Sequence, residues 1–320
     1  MRACIVIRTL NEARHLGALL TMIGRQVTDG LDHEVVLIDS GSTDGTVEIA
    51  RKHGCKITTI TKQEFSFGRS LNRGCAFGDG EILVLISGHC VPVDDHWLQN
   101  LCQPLIDGVC SYAYGRQVGD DDSHYSERRI FAKYFPETST LPQEGFFCNN
   151  ANSAVLRSAW DEHRFDEELT GLEDMDLAKR MVAKGHKVGY VAEAPVFHHH
   201  SETWASVRRR FEREAIALQQ IMPDVTISAL DLARYIVTSI AMDLRSAAQT
   251  GHFLSSWRNV FRYRWHQYIG SYKGNHALRR LSRARKEKFF YPSTNESEDR
   301  NDWLKPHRRP AAHEGEQPKG

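Results

Sequence analysis

Glu34-Val35-Val36-Leu37-Ile38-Asp39-Ser40-Gly41-Ser42-Thr43-Asp44-Gly45-Thr46 is the stretch on which the fold turns. Its apolar run reads as a strand from Glu34 to Ile38, its Ser/Gly/Asp string as a loop, and Gly45 to His53 as a helix. In an open α/β sheet the carboxyl ends of strands are where ligands bind, so a carboxylate at Asp39 can accept hydrogen bonds from a base or ribose. Taken alone, the same string serves equally as a tight turn that caps the next helix.

The same alternation runs outward from this stretch. Ala3 to Arg8 reads as the preceding strand, followed by a helix capped by Asn11 and carrying Leu16, Leu19, Leu20, Ile23 and Val27 at helical spacing. Cys55 to Ile60, Gly68 to Phe77 and Glu81 to Ile86 continue as strand, helix and strand. Such alternation predicts a parallel sheet covered by crossover helices, an α/β fold. It breaks down from Trp97 to His200, where polar loops such as Gly119 to Tyr125 appear, and long loops inside a domain tend to be functional. A helix is predicted to begin near Ala154. Beyond Ser201 the pattern is helical over Val207 to Gln220, Ser228 to Ala248 and Phe253 to Tyr268, while Pro292 to Gly320 has no hydrophobic period and is expected to be a disordered tail.

Composition excludes several classes of function. The chain has 320 residues, 41 Lys+Arg against 41 Asp+Glu and 41% hydrophobic residues, enough for a sizeable core and without the polycation character that would coat nucleic acid. No apolar run approaches the roughly 18 to 20 residues that span a bilayer. The N-terminus runs from a short apolar segment directly into Asn11 and Glu12, unlike a secretory signal, so a cytoplasmic location is expected. Seven cysteines with no C-x-x-C pair argue against a disulfide framework or a zinc knuckle and read as reduced thiols.

Several segments fall into one ordered set: Thr9-Leu10-Asn11-Glu12, the Asp39 loop, Gly68-x-x-x-Asn72, Gly80 to Leu85, Asn149 to Asn152, Glu173-Asp174 and His198 to His200. In that order and approximate spacing, over roughly residues 2 to 215, the chain resembles an inverting family 2 glycosyltransferase. The form of Ser87-x-His89-x-x-Pro92 and of the Gly68 region is similar to rhamnosyltransferases of that family. The resemblance implies a GT-A fold with a mixed central sheet: a catalytic domain over 1–205, a helical extension over 206–291 and a tail over 292–320. It also implies a nucleotide-sugar donor, a divalent metal (Mn or Mg), and transfer to a hydroxyl of a glycan or lipid-linked saccharide in cell-surface polysaccharide or lipopolysaccharide biosynthesis.

Carried over by position, Thr9, Glu12, Asp39, Ser42, Arg69, Asn72 and Ser87 would form the nucleotide site. Asn149, Asn150 and Asn152 would lie beside the sugar and acceptor, where amides can read hydroxyls. Asp174, with Glu173, would supply the base that takes the acceptor proton. The same two carboxylates also suit the positive end of a helix dipole.

The chain departs from the family where an Asp-x-Asp usually holds the metal, since Ser87-Gly88-His89 stands there. Neutral imidazole is a competent ligand for Mn²⁺-like ions and a poorer match for Mg²⁺. In extended backbone His198 and His200 share a face while His199 points away, so His89, His198 and His200 form the expected metal set. Arg209 and Arg210 could meet the diphosphate or lie on a solvated face.

Between Arg258 and Lys288 ten Lys/Arg face one acid, Glu287, and interleave with Trp257, Phe261, Tyr263, Trp265, Tyr268 and Tyr272. That composition suits either contact with the inner face of a membrane or a helical extension packed on the catalytic domain. For the donor, a UDP- or dTDP-sugar is expected, with dTDP-rhamnose as one candidate. The missing Asp-x-Asp also motivates a competing class, a catalytically silent GT-A scaffold that binds nucleotide or glycan.

Overall fold

The computed structural model describes residues 1–120, 122–200 and 202–277. Its centre is an eight-stranded mixed sheet in the order β3-β2-β1-β4-β7-β6-β8-β5. The strands are β1 (Arg2–Thr9), β2 (Asp32–Asp39), β3 (Lys56–Thr59), β4 (Ile82–Ser87), β5 (Cys90–Pro92), β6 (Tyr112–Val118), β7 (Asn152–Leu156) and β8 (Val188–His198). The first four pair in parallel, as the β-α alternation predicts. Along β1, Ala3, Ile5 and Ile7 enter the core on one face of the sheet, and Cys4 and Val6 enter the core on the other. This is the burial of a strand covered on both faces.

Helices α1 (Ala13–Ile23), α2 (Thr46–Lys52) and α4 (Trp97–Ile106) cover the first face, with Leu16, Leu19, Trp97 and Leu101 fully buried. The second face carries α3 (Phe67–Phe77), α5 (Tyr125–Tyr134), α6 (Arg157–His163) and α7 (Glu173–Ala183), through Leu71, Phe131, Trp160, Leu177 and Met181. Six of the seven cysteines are buried and all are free thiols.

Three local expectations are corrected. The segment expected to start a helix near Ala154 is strand β7, inserted antiparallel between β4 and β6. Its Asn-Ser-Ala-Val-Leu run is too short for periodicity to separate strand from helix, and the two flanking strands decide. Asn11 does not cap α1. It has φ +57° outside the helix, and its side-chain oxygen accepts the Thr43 amide at 2.9 Å, tying the first loop to the second. Val27 lies beyond α1 and is exposed.

The last described elements are α8 (Trp204–Ile221), α9 (Ala229–Gln249) and α10 (Phe253–Asn275). Ser228 and Asp231 form a reciprocal capping box at the head of α9. A Cβ on Gly270 would lie 2.4 Å from the Arg208 carbonyl, and one on Gly274 2.2 Å from that of Glu212, so α10 rests backbone to backbone on α8. Among the described residues no helix is long and apolar enough to cross a membrane. The expected tail, and the six basic residues from Arg279 to Lys288, lie outside the described residues.

Candidate active site

β1, β2 and β4 run parallel side by side, so their carboxyl ends lie together, and the Asp39 loop follows β2 there. Asp39 Oδ2 accepts the Gly41 and Ser42 amides at 2.9 Å, and Oδ1 accepts the Ser42 hydroxyl at 2.5 Å and that of Thr9 at 3.2 Å. Thr9 and Asp39 are both buried. The carboxylate therefore holds its own turn, and a base reaching it must replace the Ser42 hydroxyl. Glu12, expected beside the nucleotide, instead accepts His89 Nδ1–H at 2.8 Å. Gly88 makes room for this, because a Cβ there would lie 2.9 Å from Glu12 Cγ.

Three imidazoles meet next to Glu12. Strand β5 pairs antiparallel with β8, placing Cys90 opposite His198 and bringing His89 beside it. His89 Nε2 and His198 Nε2 are 3.2 Å apart, the His198 and His200 rings are centred 4.0 Å apart, and the candidate ligand atoms of all three lie within 4.8 Å of one another. Each ring donates its Nδ1–H to a fixed acceptor: Glu12 for His89, Gln117 Oε1 at 2.7 Å for His198 and Glu127 at 2.7 Å for His200. That leaves the Nε2 lone pairs facing one another. Burial first, then the neighbouring His200 and His89, holds His198 well below the usual imidazole range, so it is neutral.

Two lone pairs at that spacing repel unless a cation lies between them. Ligands about 2.1 Å from a shared ion would sit about 3.0–3.4 Å apart, and metal-bound histidines characteristically have the other ring nitrogen held by a carboxylate or carbonyl. The donor set therefore fits a divalent transition metal. His199 points away, as the alternation predicts: it donates to Asp120 at 2.5 Å and stacks on His15.

Glu173 and Asp174 open helix α7. The preceding residue, Leu172, has φ +55°, a left-handed conformation costly for a residue with a side chain, and this turns the pair toward the sheet. Asp174 is 6% exposed and accepts the Asn150 amide and the Met175 amide, each at 2.8 Å. Burial, reinforced by the charge of Glu173, lifts its carboxyl from 3.8 to about 7. A carboxylate poised near neutral pH is suited to general-base work.

Sequence reasoning missed the cations of this site. Arg8, at the end of β1, lies 4.4 Å from the Phe67 ring centre and 3.5 Å from Glu173, and Arg213 on α8 lies 4.5 Å from the same ring. Arg213 Nε is buried without a hydrogen-bond partner. Burial lowers both guanidinium pKa values, the mark of cations held with little water around them. The available signal was Arg8 directly before the Thr9 motif. Arg213 could not be singled out from the run Arg208-Arg209-Arg210 that precedes it.

Other expected residues have structural partners. Arg210 is bonded to Glu202 at 2.7 Å and Glu127 at 2.9 Å, so it steadies the acceptor of His200 instead of facing a diphosphate. Arg209 bonds Ser206. Asn72 is buried, with its amide oxygen accepting from Trp160 and the Phe165 amide and its nitrogen donating to the Phe165 carbonyl and Glu167; Arg69 pairs with Glu167 at 2.7 Å. Both pin the segment leading to α7. Asn152 is fully buried between Trp97 and the carbonyls of Arg116 and Ala194. Asn150 bonds Tyr112 and Ser153 and lends its backbone to Asp174, Asn149 accepts from Gln117, and Ser87 stands half-buried at the end of β4.

A mixed eight-stranded sheet flanked by helices, with a helical C-terminal region, is a fold of the GT-A kind. The sequence profile described as "Glycosyl transferase family 2" matches residues 4–164, and the chain belongs to that family. It is 29% identical over 230 residues to the O-antigen chain rhamnosyltransferase RfbN of Salmonella typhimurium, a match covering 67% of this chain and 70% of that one. It is 28% identical over 193 residues to the O-antigen chain rhamnosyltransferase WbaN of Salmonella anatum, covering 56% and 60%. Among solved structures it is similar in fold to the mannosyltransferase PcManGT from Pyrobaculum calidifontis in complex with GDP-Man and Mn2+, with TM-score 0.60, 17% identity and coverage of 85% and 86%. The chain is a family 2 glycosyltransferase.

Proposed function

We propose that this enzyme moves a sugar, with inversion, from a nucleoside-diphosphate sugar to a hydroxyl of a glycan or lipid-linked saccharide in cell-surface polysaccharide or lipopolysaccharide assembly. The observation that carries the reading is Asp174: a buried carboxylate lifted to about 7, beside Glu173, which pairs with Arg8 of the Arg8–Phe67–Arg213 cluster, one residue before Thr9 and its bond to Asp39. The names of the two Salmonella relatives, both O-antigen chain rhamnosyltransferases, favour a rhamnose donor such as dTDP-rhamnose, with a UDP-sugar as the other donor expected from the sequence. The reaction would run at the cytoplasmic face of the membrane, in a catalytic unit over 1–205 extended by the helices that follow.

Each role follows from the chemistry of the side chain. Asp174 accepts the proton of the attacking acceptor hydroxyl as the anomeric bond to the diphosphate breaks. Arg8 and Arg213, in place of Arg209 and Arg210, stabilise the charge that develops on the departing diphosphate. Asp39, Ser42 and Thr9 receive the base and ribose, and Asn149 reads a sugar hydroxyl. His89, His198 and His200 would hold Mn²⁺ or a similar ion, which supplies charge neutralisation at the diphosphate when bound. This histidine set also supplies ligands where the absent Asp-x-Asp had suggested a silent scaffold.

A thermal-shift panel of UDP, dTDP, GDP and CMP, each with Mn²⁺, Mg²⁺ or EDTA, tests the donor and metal together, because a ligand bound only by the folded state raises its stability. One diphosphate raising the melting temperature only with Mn²⁺ is expected. No response to any nucleotide would overturn the reading.

A further inference from the structure

Helix α10 divides its aromatic and basic residues between two sides. Ser256, Val260, Tyr263, Arg264, Gly270 and Gly274 are buried toward the protein. Arg264 is bonded to the buried Asp243 at 2.7 and 3.0 Å, and the Tyr263 hydroxyl lies 3.5 Å from Glu127. Together with the two glycines against α8, these contacts fix the rotation of α10. The side left outside is therefore set by the fold.

That side carries Leu254, Trp257, Phe261 and Trp265, of which Leu254 is 86% and Trp265 54% exposed. Spacings of three and four residues put them in one stripe, roughly 80° wide and about 16 Å long at 1.5 Å and 100° per residue. Tyr235 of α9 stacks on Tyr268 of α10, and the exposed Met242, seven residues on, extends the same side of α9. Arg258 and Arg262 flank the stripe, are exposed, and meet no carboxylate among the described residues. The whole of α10 holds no Asp or Glu, and the sequence after it adds six basic residues against Glu287 up to Lys288.

We infer that this stripe is a membrane-contact surface whose occupant is an anionic phospholipid bilayer, with Trp257, Phe261, Trp265 and Leu254 at the acyl boundary and Arg258 and Arg262 on the headgroups. An aromatic and aliphatic face bordered by arginines that meet no carboxylate among the described residues, Arg258 stacking on Trp257, matches an anionic interface. A two-fold contact with a second copy would set the same arginines near one another, which disfavours it. Nucleic acid would leave Leu254 and Met242 without stacking partners. The surface rests on the lipid-linked-acceptor reading for its use and not for its residues; the Tyr263–Glu127–His200 contacts connect this helix to the metal-ligand set.

The test is sedimentation of the full chain with sucrose-loaded vesicles, either pure phosphatidylcholine or 7:3 phosphatidylcholine:phosphatidylglycerol, without substrate. Binding is expected only to the anionic vesicles. It should fall at least tenfold in Leu254→Ser/Phe261→Ser and in Arg258→Glu/Arg262→Glu, and in high salt. Both double variants should keep the wild-type thermal shift with nucleotide, which separates this proposal from the catalytic reading. Equal sedimentation of wild type and both variants would overturn it. So would a concentration-dependent dimer in light scattering that Phe261→Ser abolishes, or retention of single-stranded DNA in place of vesicles.

Discussion

Replacing Asp174 by Asn should destroy turnover and yet stabilise the protein in alkali. In the folded chain the Asp174 carboxyl is lifted from 3.8 to about 7, chiefly by burial and then by the charge of Glu173. A group raised in the folded state contributes stability below its unfolded pKa and loses that contribution as pH rises through its folded pKa. The rise, at about 1.4 kcal/mol per pH unit, amounts to about 4 kcal/mol that the wild type forfeits between pH 4 and pH 8. Asn does not titrate, and it gives up one of the two amide hydrogen bonds the carboxylate accepts, at a cost of about 1–2 kcal/mol. D174N should therefore be about 2–3 kcal/mol more stable than wild type at pH 8, with the difference passing through zero and reversing to about 1–2 kcal/mol in favour of wild type as pH falls toward 4. Calorimetric melting across pH 4 to 8 reads this directly, at roughly 2–4 °C per kcal/mol. Turnover should fall by about 10²–10⁴. In the wild type, kcat/KM should fall about tenfold for each unit below a midpoint near 7. A D174N enzyme whose turnover falls less than about tenfold, or a melting difference that does not change with pH, would refute the argument.

The other residues give distinct outcomes. His198→Ala should abolish any stabilisation by Mn²⁺ in a thermal shift, whereas His199→Ala, whose ring points away, should keep it. Arg213→Met should lower kcat by about 10²-fold with little change in the acceptor KM, as expected for a cation that acts on the leaving group; an unchanged kcat would remove it from the chemistry. Gly274→Val should cost at least about 1–3 kcal/mol, because its Cβ would meet the Glu212 carbonyl at 2.2 Å, and calorimetry would show a drop of several degrees.

The parallel half of the sheet was legible in the sequence because β1, β2 and β4 each carry an apolar run closed by turn residues, and local pattern suffices to place them. The Asp39 loop, the His198/His200 alternation and the position of Asp174 at a helix start were legible for the same reason: each depends on residues a few places apart. Strand β7 was not, since five residues carry no decisive period and only the gap between β4 and β6 selects the extended form. Asn72, Asn152 and Arg210 look like ligand-binding residues in the sequence, yet partners 36 to 95 residues away consume the bonding capacity of Asn72 and Asn152, and Glu127, 83 residues away, shares Arg210 with Glu202.

The sequence by itself determined the α/β class, the family and the candidate base. Only the tertiary structure decided that His89 and His198, 109 residues apart, face each other at 3.2 Å, that Arg8 and Arg213 share the Phe67 ring, and which aromatics of α10 look outward. The physical reason is that strand pairing, burial and helix rotation are set by long-range contacts, whereas a motif records only its own neighbours.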